Sequence, residues 1–284
     1  MNAIVQLELS DSEFSDIKEL VFSTTGITLS DAKRELVKRR FAPRVRELGL
    51  PSFKDYVRLV QTDKGDEVNH FCNAITTNLT SFFRENHHFD LLKSEILPAI
   101  YQRNLDSERR IRIWSAGCST GQEAYCLAII LRSAIPGLEN WDARILATDL
   151  DEKCLSTARQ GIYREDAFEK TPSKIVSENF SKVDQLVKGQ ATPSLQAKLE
   201  IRKLITFNKL NLMHSPWPMK GKFDVIFCRN VFIYFNKATQ AELVSRYARM
   251  QDPGSFLCLG HSEVIQDPEK VGYKLIGKTA YQRV

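Results

Sequence analysis

The chain has 284 residues, 43% hydrophobic and 26% charged, a balance that supports one large folded domain, or one ordinary domain plus a small one, and excludes intrinsic disorder. No stretch approaches the ~18 uninterrupted apolar residues of a membrane span, and the start MNAIVQLELSDSEF lacks the basic and apolar regions of a signal peptide. The net charge of +5 keeps an anionic partner open, nucleic acid included, while six cysteines without a CxxC pair point to the cytoplasm and away from a zinc site or a disulfide framework.

The first 76 residues predict helices and no strand. Ser10-Asp11-Ser12 can cap a helix with Phe14, Ile17, Leu20 and Val21 at helical spacing, ended by Gly26. Ser30 or Asp31 can cap a second helix carrying Leu36, Val37, Phe41, Val45 and Leu48, with a kink or restart expected at Pro43 and a stop at Gly49. Two shorter helices over 52–61 and 67–75 complete a small all-α domain, 1–76. Its second helix bears Lys33, Arg34, Lys38, Arg39, Arg40, Arg44 and Arg46 against the lone acid Glu35, which by itself reads as a solvated charged face.

From Ile111 the pattern turns to alternating strands and helices. Strands are predicted over 111–115, 144–148, 205–209, 223–228 and 255–259, with helices after the first two and over 237–250. Segments 273–276 and 280–284 read as a terminal antiparallel pair. This alternation defines a three-layer α/β domain, 91–284, joined to the first by a linker, 77–90. The polar stretch 164–204, with Pro172 and Pro193, interrupts the alternation and reads as an insertion.

Open parallel sheets bind ligands beyond the carboxyl ends of their strands. Four such ends carry small or polar residues: Ala116–Glu123, Asp149–Asp151, Asn211-Leu212 and Arg229-Asn230. The first turn, Ala-Gly-Cys-Ser-Thr-Gly, is neither a P-loop nor a GxGxxG fingerprint. Glu123 at the following helix start would repel a pyrophosphate but suits ribose hydroxyls and an ammonium group; alternatively it only complements the helix dipole. Asp149 at a strand end suits a ribose diol, although Asp149 or Asp151 could simply cap the next helix. Together they indicate an adenosine-containing cofactor, S-adenosylmethionine rather than NAD.

At this point the sequence closely resembles the CheR family of chemotaxis receptor glutamate methyltransferases. The resemblance spans nearly the whole chain and rests on NAITTNLTSFFRENHHF (73–89), IWSAGCSTGQEAY (113–125), ATDLDEKCLSTARQGIY (147–163), FDVIFCRNVFIYF (223–235) and GHSE (260–263). It implies a Rossmann-like class I methyltransferase sheet with a small inserted β-subdomain, preceded by the helical domain. It implies methyl transfer from S-adenosylmethionine to glutamates of chemoreceptor cytoplasmic helices, leaving S-adenosylhomocysteine. Carried over residue by residue, Asn78, Thr80 and Arg84 of the linker, Glu123, Asp149, Asn211, Leu212, Arg229 and Asn230 hold the cofactor. Arg84 and Tyr234 line the transfer site and orient the substrate, and the basic helix is the receptor-docking surface. Stretch 180–202 has a lone Gly189 and no Arg-Gly-x-Gly, which implies receptors without a C-terminal pentapeptide tether.

A glutamate with pKa ~4.3 is already ionised at neutral pH, so no general base is needed and alignment with water exclusion should dominate. The five histidines lack metal-ligand spacing. Cys228 lacks the Pro-Cys context of cytosine methyltransferases, and Arg229-Asn230-Val231-Phe232 is not the Asn/Asp-Pro-Pro-aromatic turn of adenine enzymes. The expected partner is therefore a chemoreceptor, without nucleic acid or membrane insertion, and the expected state a monomer. Two rivals stay open: a methyltransferase of RNA or a small acid, and a catalytically idle cofactor-binding module.

Overall fold

The computed structural model describes residues 7–63, 66–187 and 190–284. The N-terminal part is a four-helix bundle: α1 (Asp11–Thr25), α2 (Arg34–Glu47), α3 (Phe53–Thr62) and α4 (Asp66–Ile75). Ser10 and Glu13 form a reciprocal capping box on α1, and Gly26 ends it in a left-handed conformation. Neither Ser30 nor Asp31 caps α2 through its side chain; a 3-10 turn (Asp31–Lys33) leads into it. The helix also runs on through Pro43 without the expected restart. Val37, Phe41 and Val45, all fully buried on one face, outweigh the one backbone hydrogen bond that proline removes.

The basic residues of α2 are largely occupied inside the bundle. Arg44 ion-pairs with the buried Glu67 at 2.6 Å, whose other oxygen accepts from Tyr56 at 2.9 Å. Arg40 donates to the terminal carbonyls of α4 at Ala74, Ile75 and Thr76. Arg34 pairs with Asp11 and Lys38 with Glu8. Lys33, Arg39 and Arg46 remain exposed, and no ion pair engages them among the described residues.

A helical segment follows where a linker was expected to continue to residue 90. It comprises α5 (His87–Leu91), a π-helical stretch (Leu92–Ile96) and α6 (Leu97–Asn104). Phe89, Leu92, Ile96, Leu97 and Ile100 bury against one face of the sheet.

The sheet contains β1 (Arg110–Ala116), β2 (Asp142–Asp149), β6 (Ile205–Lys209), β7 (Val225–Cys228), β8 (Phe256–Leu259), β9 (Tyr273–Gly277) and β10 (Ala280–Arg283) in the order β6-β2-β1-β7-β8-β10-β9. The first five are mutually parallel, and β10 enters antiparallel beside β8. From β1 the chain steps outward to β2 and β6, then crosses to β7 on the other side, which creates a switch point between β1 and β7. Helices α7 (Gln122–Ala134), α8 (Glu152–Gln160) and α11 (Lys237–Arg249) complete the layers. Trp114, Trp217 and Tyr247 form an edge-to-face core on the α11 side.

The insertion is a separate antiparallel sheet, β3-β5-β4, built from β3 (Ile162–Arg164), β4 (Phe180–Val187) and β5 (Gln190–Ala197). The short helices α9 (Ser173–Asn179) and α10 (Leu199–Arg202) flank it. Gly189, on which the tether reading turned, lies outside the described residues. Phe82 of the linker stacks on Phe168 at 4.4 Å and meets Tyr163 and Phe180 edge-on, tying the linker to this small sheet.

Candidate active site

The strand ends around the switch point, the linker and the top of the bundle enclose one cavity of about 290 Å³. All ten candidate site residues line it: Asn78, Thr80, Arg84, Glu123, Asp149, Asn211, Leu212, Arg229, Asn230 and Tyr234. Their local settings differ, and so does what each can offer a ligand.

The β1–α7 turn approaches its neighbours closely. Gly117 (φ 87°) and Gly121 (φ 96°) are left-handed, and a Cβ on Gly117 would lie 2.4 Å from Val231 Cγ2. A Cβ on Gly121 would lie 2.8 Å from Ala158 Cβ. The turn is pinned to β2 by the Gly117 and Cys118 amides, which donate to the Thr148 carbonyl at 2.8 and 2.9 Å. Asp149 accepts from the Ser119 amide at 2.7 Å and the Asp151 amide at 2.9 Å. Asp151, not Asp149, caps α8. Its second oxygen accepts from the Asn78 amide at 2.7 Å, which fastens the linker to the β2 end.

Glu123 accepts from Ser115 at 2.7 Å and pairs with Arg229 at 3.1 Å. Burial pushes both the Glu123 and Asp149 carboxyls up, against the opposing pull of Arg229 on the first and of backbone amides on the second. Two desolvated acids in one cavity wall are relieved by a ligand that brings hydroxyl donors and positive charge. A ribose diol with an ammonium and a sulfonium group meets that demand, and a pyrophosphate does not.

Asn211 spends its side chain structurally: its amide donates to the Thr24 carbonyl at 2.7 Å, and its oxygen accepts from Met213 N at 2.9 Å. It therefore joins the β6 end to α1 while bordering the cavity. The Tyr234 hydroxyl donates to the Thr77 carbonyl at 3.3 Å, and its own carbonyl accepts from Thr28 N at 2.8 Å. Tyr234 and Phe235 pack against the bundle core, so the aromatics are both core-packed and cavity-lining. Arg84 reaches the Leu79 carbonyl at 2.7 Å and lines the cavity.

Two acids to which sequence reasoning gives no role organise this end of the sheet. Glu85 holds Arg229, Asn230 and His261. Glu263 accepts from the backbone amides of Asn230, Ile233 and Gly260, and so closes the loop after β7 onto the loop after β8. Both lie inside the family-like motifs at 73–89 and 260–263, but nothing in one sequence marks a carboxylate whose partners, Gly260 apart, lie 30 to 176 residues away.

Beside them, His88 is fully buried, with Nε2 2.8 Å from the Lys278 carbonyl. Burial and the Arg229 charge lower its pKa to about 4. The folded protein then holds His88 neutral while the unfolded chain protonates it below ~6.5. Stability is complete above that value and falls as pH drops through 6.5 towards 4, by about 2 kcal/mol between pH 7 and 5. Urea midpoints of wild type and His88→Gln at the two pH values test this; an equal acid slope in both would remove His88 as its source.

This fold and cavity define an S-adenosylmethionine-dependent methyltransferase, in which the cofactor supplies an electrophilic methyl group. The families described as "CheR methyltransferase, SAM binding domain" and "CheR methyltransferase, all-alpha domain" match residues 78–281 and 12–76. The chain is 42% identical over 264 residues to a probable chemotaxis protein methyltransferase of Rhizobium etli, covering 93% of this chain and 96% of that one. It is 36% identical over 280 residues to the chemotaxis protein methyltransferase of Escherichia coli, covering 97% and 92%. The Borreliella burgdorferi chemotaxis protein methyltransferase is 35% identical over 272 residues, covering 95% and 94%. The chain belongs to the CheR methyltransferase family.

Proposed function

We propose that the protein methylates glutamate side chains on the helical cytoplasmic domain of chemoreceptors, yielding glutamyl methyl esters for adaptation. The observation that carries this is the placement of Arg84 and Tyr234 at a cavity shared by the bundle, the linker and the sheet. Asn78, Thr80, Glu123, Asp149, Leu212 and Asn230 hold the cofactor there, and Arg229 acts by fixing Glu123.

An ionised carboxylate entering the cavity finds no need of a base. Arg84 orients it, and Tyr234 limits its approach. Leu79 and Ile233, both exposed, line the cavity and offer apolar surface to an incoming receptor segment, whose docking excludes water from the meeting of opposite charges. We assign the protein a monomeric state. No helix among the described residues is long and apolar enough to cross a membrane, in keeping with a cytoplasmic enzyme working on the cytoplasmic part of its receptor. We place the helical part (1–76) as the docking domain, 77–86 as the linker and 87–284 as the catalytic domain, and assign receptors without the pentapeptide tether as substrates.

The test is transfer of labelled methyl from S-adenosylmethionine to a receptor cytoplasmic fragment, read as base-labile ester. Label appearing in RNA or in a small acid, or no transfer at all, would sink this reading.

Docking falls to the exposed part of α2. Arg39 and Arg46 are one heptad apart and so share a face of the helix. Arg39→Glu with Arg46→Glu should raise the receptor KM about tenfold and flatten its salt dependence, with kcat unchanged. Unaltered KM across salt would make these arginines merely solvated.

A further inference from the structure

Arg84 sits between two residues whose backbones are left-handed, Phe83 (φ 53°) and Glu85 (φ 54°). Side chains of this kind seldom adopt that conformation, and it persists only where the surroundings over-determine it. On one side the Phe83 amide donates to Cys126 Sγ at 3.2 Å and its ring packs edge-on against Phe89. On the other, the Glu85 carboxylate meets four groups of three residues from two different strand ends. Arg229 Nη2 lies 3.2 Å and the His261 amide 3.0 Å from Oε2, while Asn230 Nδ2 lies 3.0 Å and His261 Nδ1 3.1 Å from Oε1. Arg229 also donates to the carbonyl of Arg84 itself and pairs with Glu123.

We infer that Glu85 is a positioning residue for methyl transfer, whose carboxylate clamps the linker to the ends of β7 and β8 so that Arg84 is presented to the cavity. The clamp works through a continuous chain: Glu123, Arg229, then the Arg84 carbonyl and the Glu85 carboxylate, with Asn230 and His261 closing the far side. Because Arg229 is shared between Glu85 and Glu123, the same link couples the linker to the wall that faces the cofactor. The groups facing Glu85 are Arg229, His261, the imidazoles of His87 and His88, and more distantly Glu123. Burial alone would raise the carboxyl, but Asn230, Arg229 and His261 bring it down to about 2, so the clamp stays anionic at working pH.

Glu85→Gln removes the charge of the clamp but keeps an amide of the same shape that can still meet Asn230 and His261. Loss of the charge should therefore emerge as misplaced chemistry, for which a displacement of about 1 Å costs on the order of 100-fold in rate.

The inference rests on Arg84 acting at the transfer site, as proposed above, and a double-mutant cycle separates the two. Wild type, Arg84→Ala, Glu85→Gln and the double variant are assayed for kcat on a receptor fragment at saturating cofactor, with binding of S-adenosylhomocysteine measured calorimetrically. Glu85→Gln should lower kcat by about 30- to 100-fold while the dissociation constant for S-adenosylhomocysteine shifts less than tenfold. The double variant should be no slower than Arg84→Ala alone, because both changes remove one action. Glu85→Asp should recover part of the loss, and His261→Ala, which removes only an exposed partner, should cost a few-fold. Near-normal turnover of Arg84→Ala overturns both the role of Arg84 and this inference. A severe Arg84→Ala defect combined with normal Glu85→Gln turnover, or with losses that multiply in the double variant, overturns the inference alone. If Glu85→Gln does not fold, Glu85→Asp and His261→Ala, each with and without Arg84→Ala, distinguish the same outcomes.

Discussion

Replacing Arg84 with alanine should lower receptor methylation by at least ~100-fold while cofactor binding survives. The guanidinium is tethered to the Leu79 carbonyl, within the same linker, and no carboxylate pairs with it among the described residues. It is therefore free to meet an incoming carboxylate through two parallel hydrogen bonds. Too strong a pairing would blunt the nucleophile, which suits a partly exposed arginine better than a fully buried one. Arg84→Lys should recover little, since an ammonium lacks the planar fork that sets orientation. Single-turnover transfer to a receptor fragment, alongside calorimetric titration with S-adenosylhomocysteine, measures both quantities. Near-wild-type transfer with intact binding would remove Arg84 from the reaction.

The second large effect is on stability. Arg229 is 2% exposed, lies over the rings of Phe89 and Phe227, and stands between Glu85 and Glu123. Arg229→Met keeps the apolar contacts but leaves two largely buried carboxylates, 12% and 13% exposed, without their cation. Removing one partner from such an arrangement costs about 3–5 kcal/mol, because the abandoned charge remains desolvated. Adding Glu85→Gln and Glu123→Gln should return a large part of that loss, since the uncompensated charges then disappear. Urea unfolding without cofactor tests both statements. A loss below about 1 kcal/mol would mean that water already reaches this cluster and that Arg229 matters only to the cavity.

Local pattern was legible wherever the chain interacts with itself over a few residues. The N-terminal cap of α1, the four bundle helices, the strands of the main sheet and the terminal antiparallel pair all follow from residue type and spacing, with ends displaced by only a few residues. The β1–α7 turn and the Asp149 end of β2 identified the kind of cofactor because missing phosphate-binding glycines and a strand-end acid are local facts. Where local pattern failed, a longer-range interaction had won. At Pro43, bundle packing of Val37, Phe41 and Val45 overrode a helix-breaking preference. Over 87–104, the helix went unread although Phe89, Leu92, Ile96 and Ile100 have its spacing.

By itself, the sequence determined that this is an α/β protein behind a small helical domain, and that its strand ends carry the chemistry of an adenosyl cofactor. Only the tertiary structure decided how those residues are used. Arg40 and Arg44 became internal ties of the bundle, Asp151 rather than Asp149 became the cap, and Asn211 became a bridge to α1. Glu85, hidden in the linker, became the group that holds Arg229 and Asn230. The reason is that a charged side chain chooses partners by distance and desolvation, and neither exists until strands far apart in the chain end side by side.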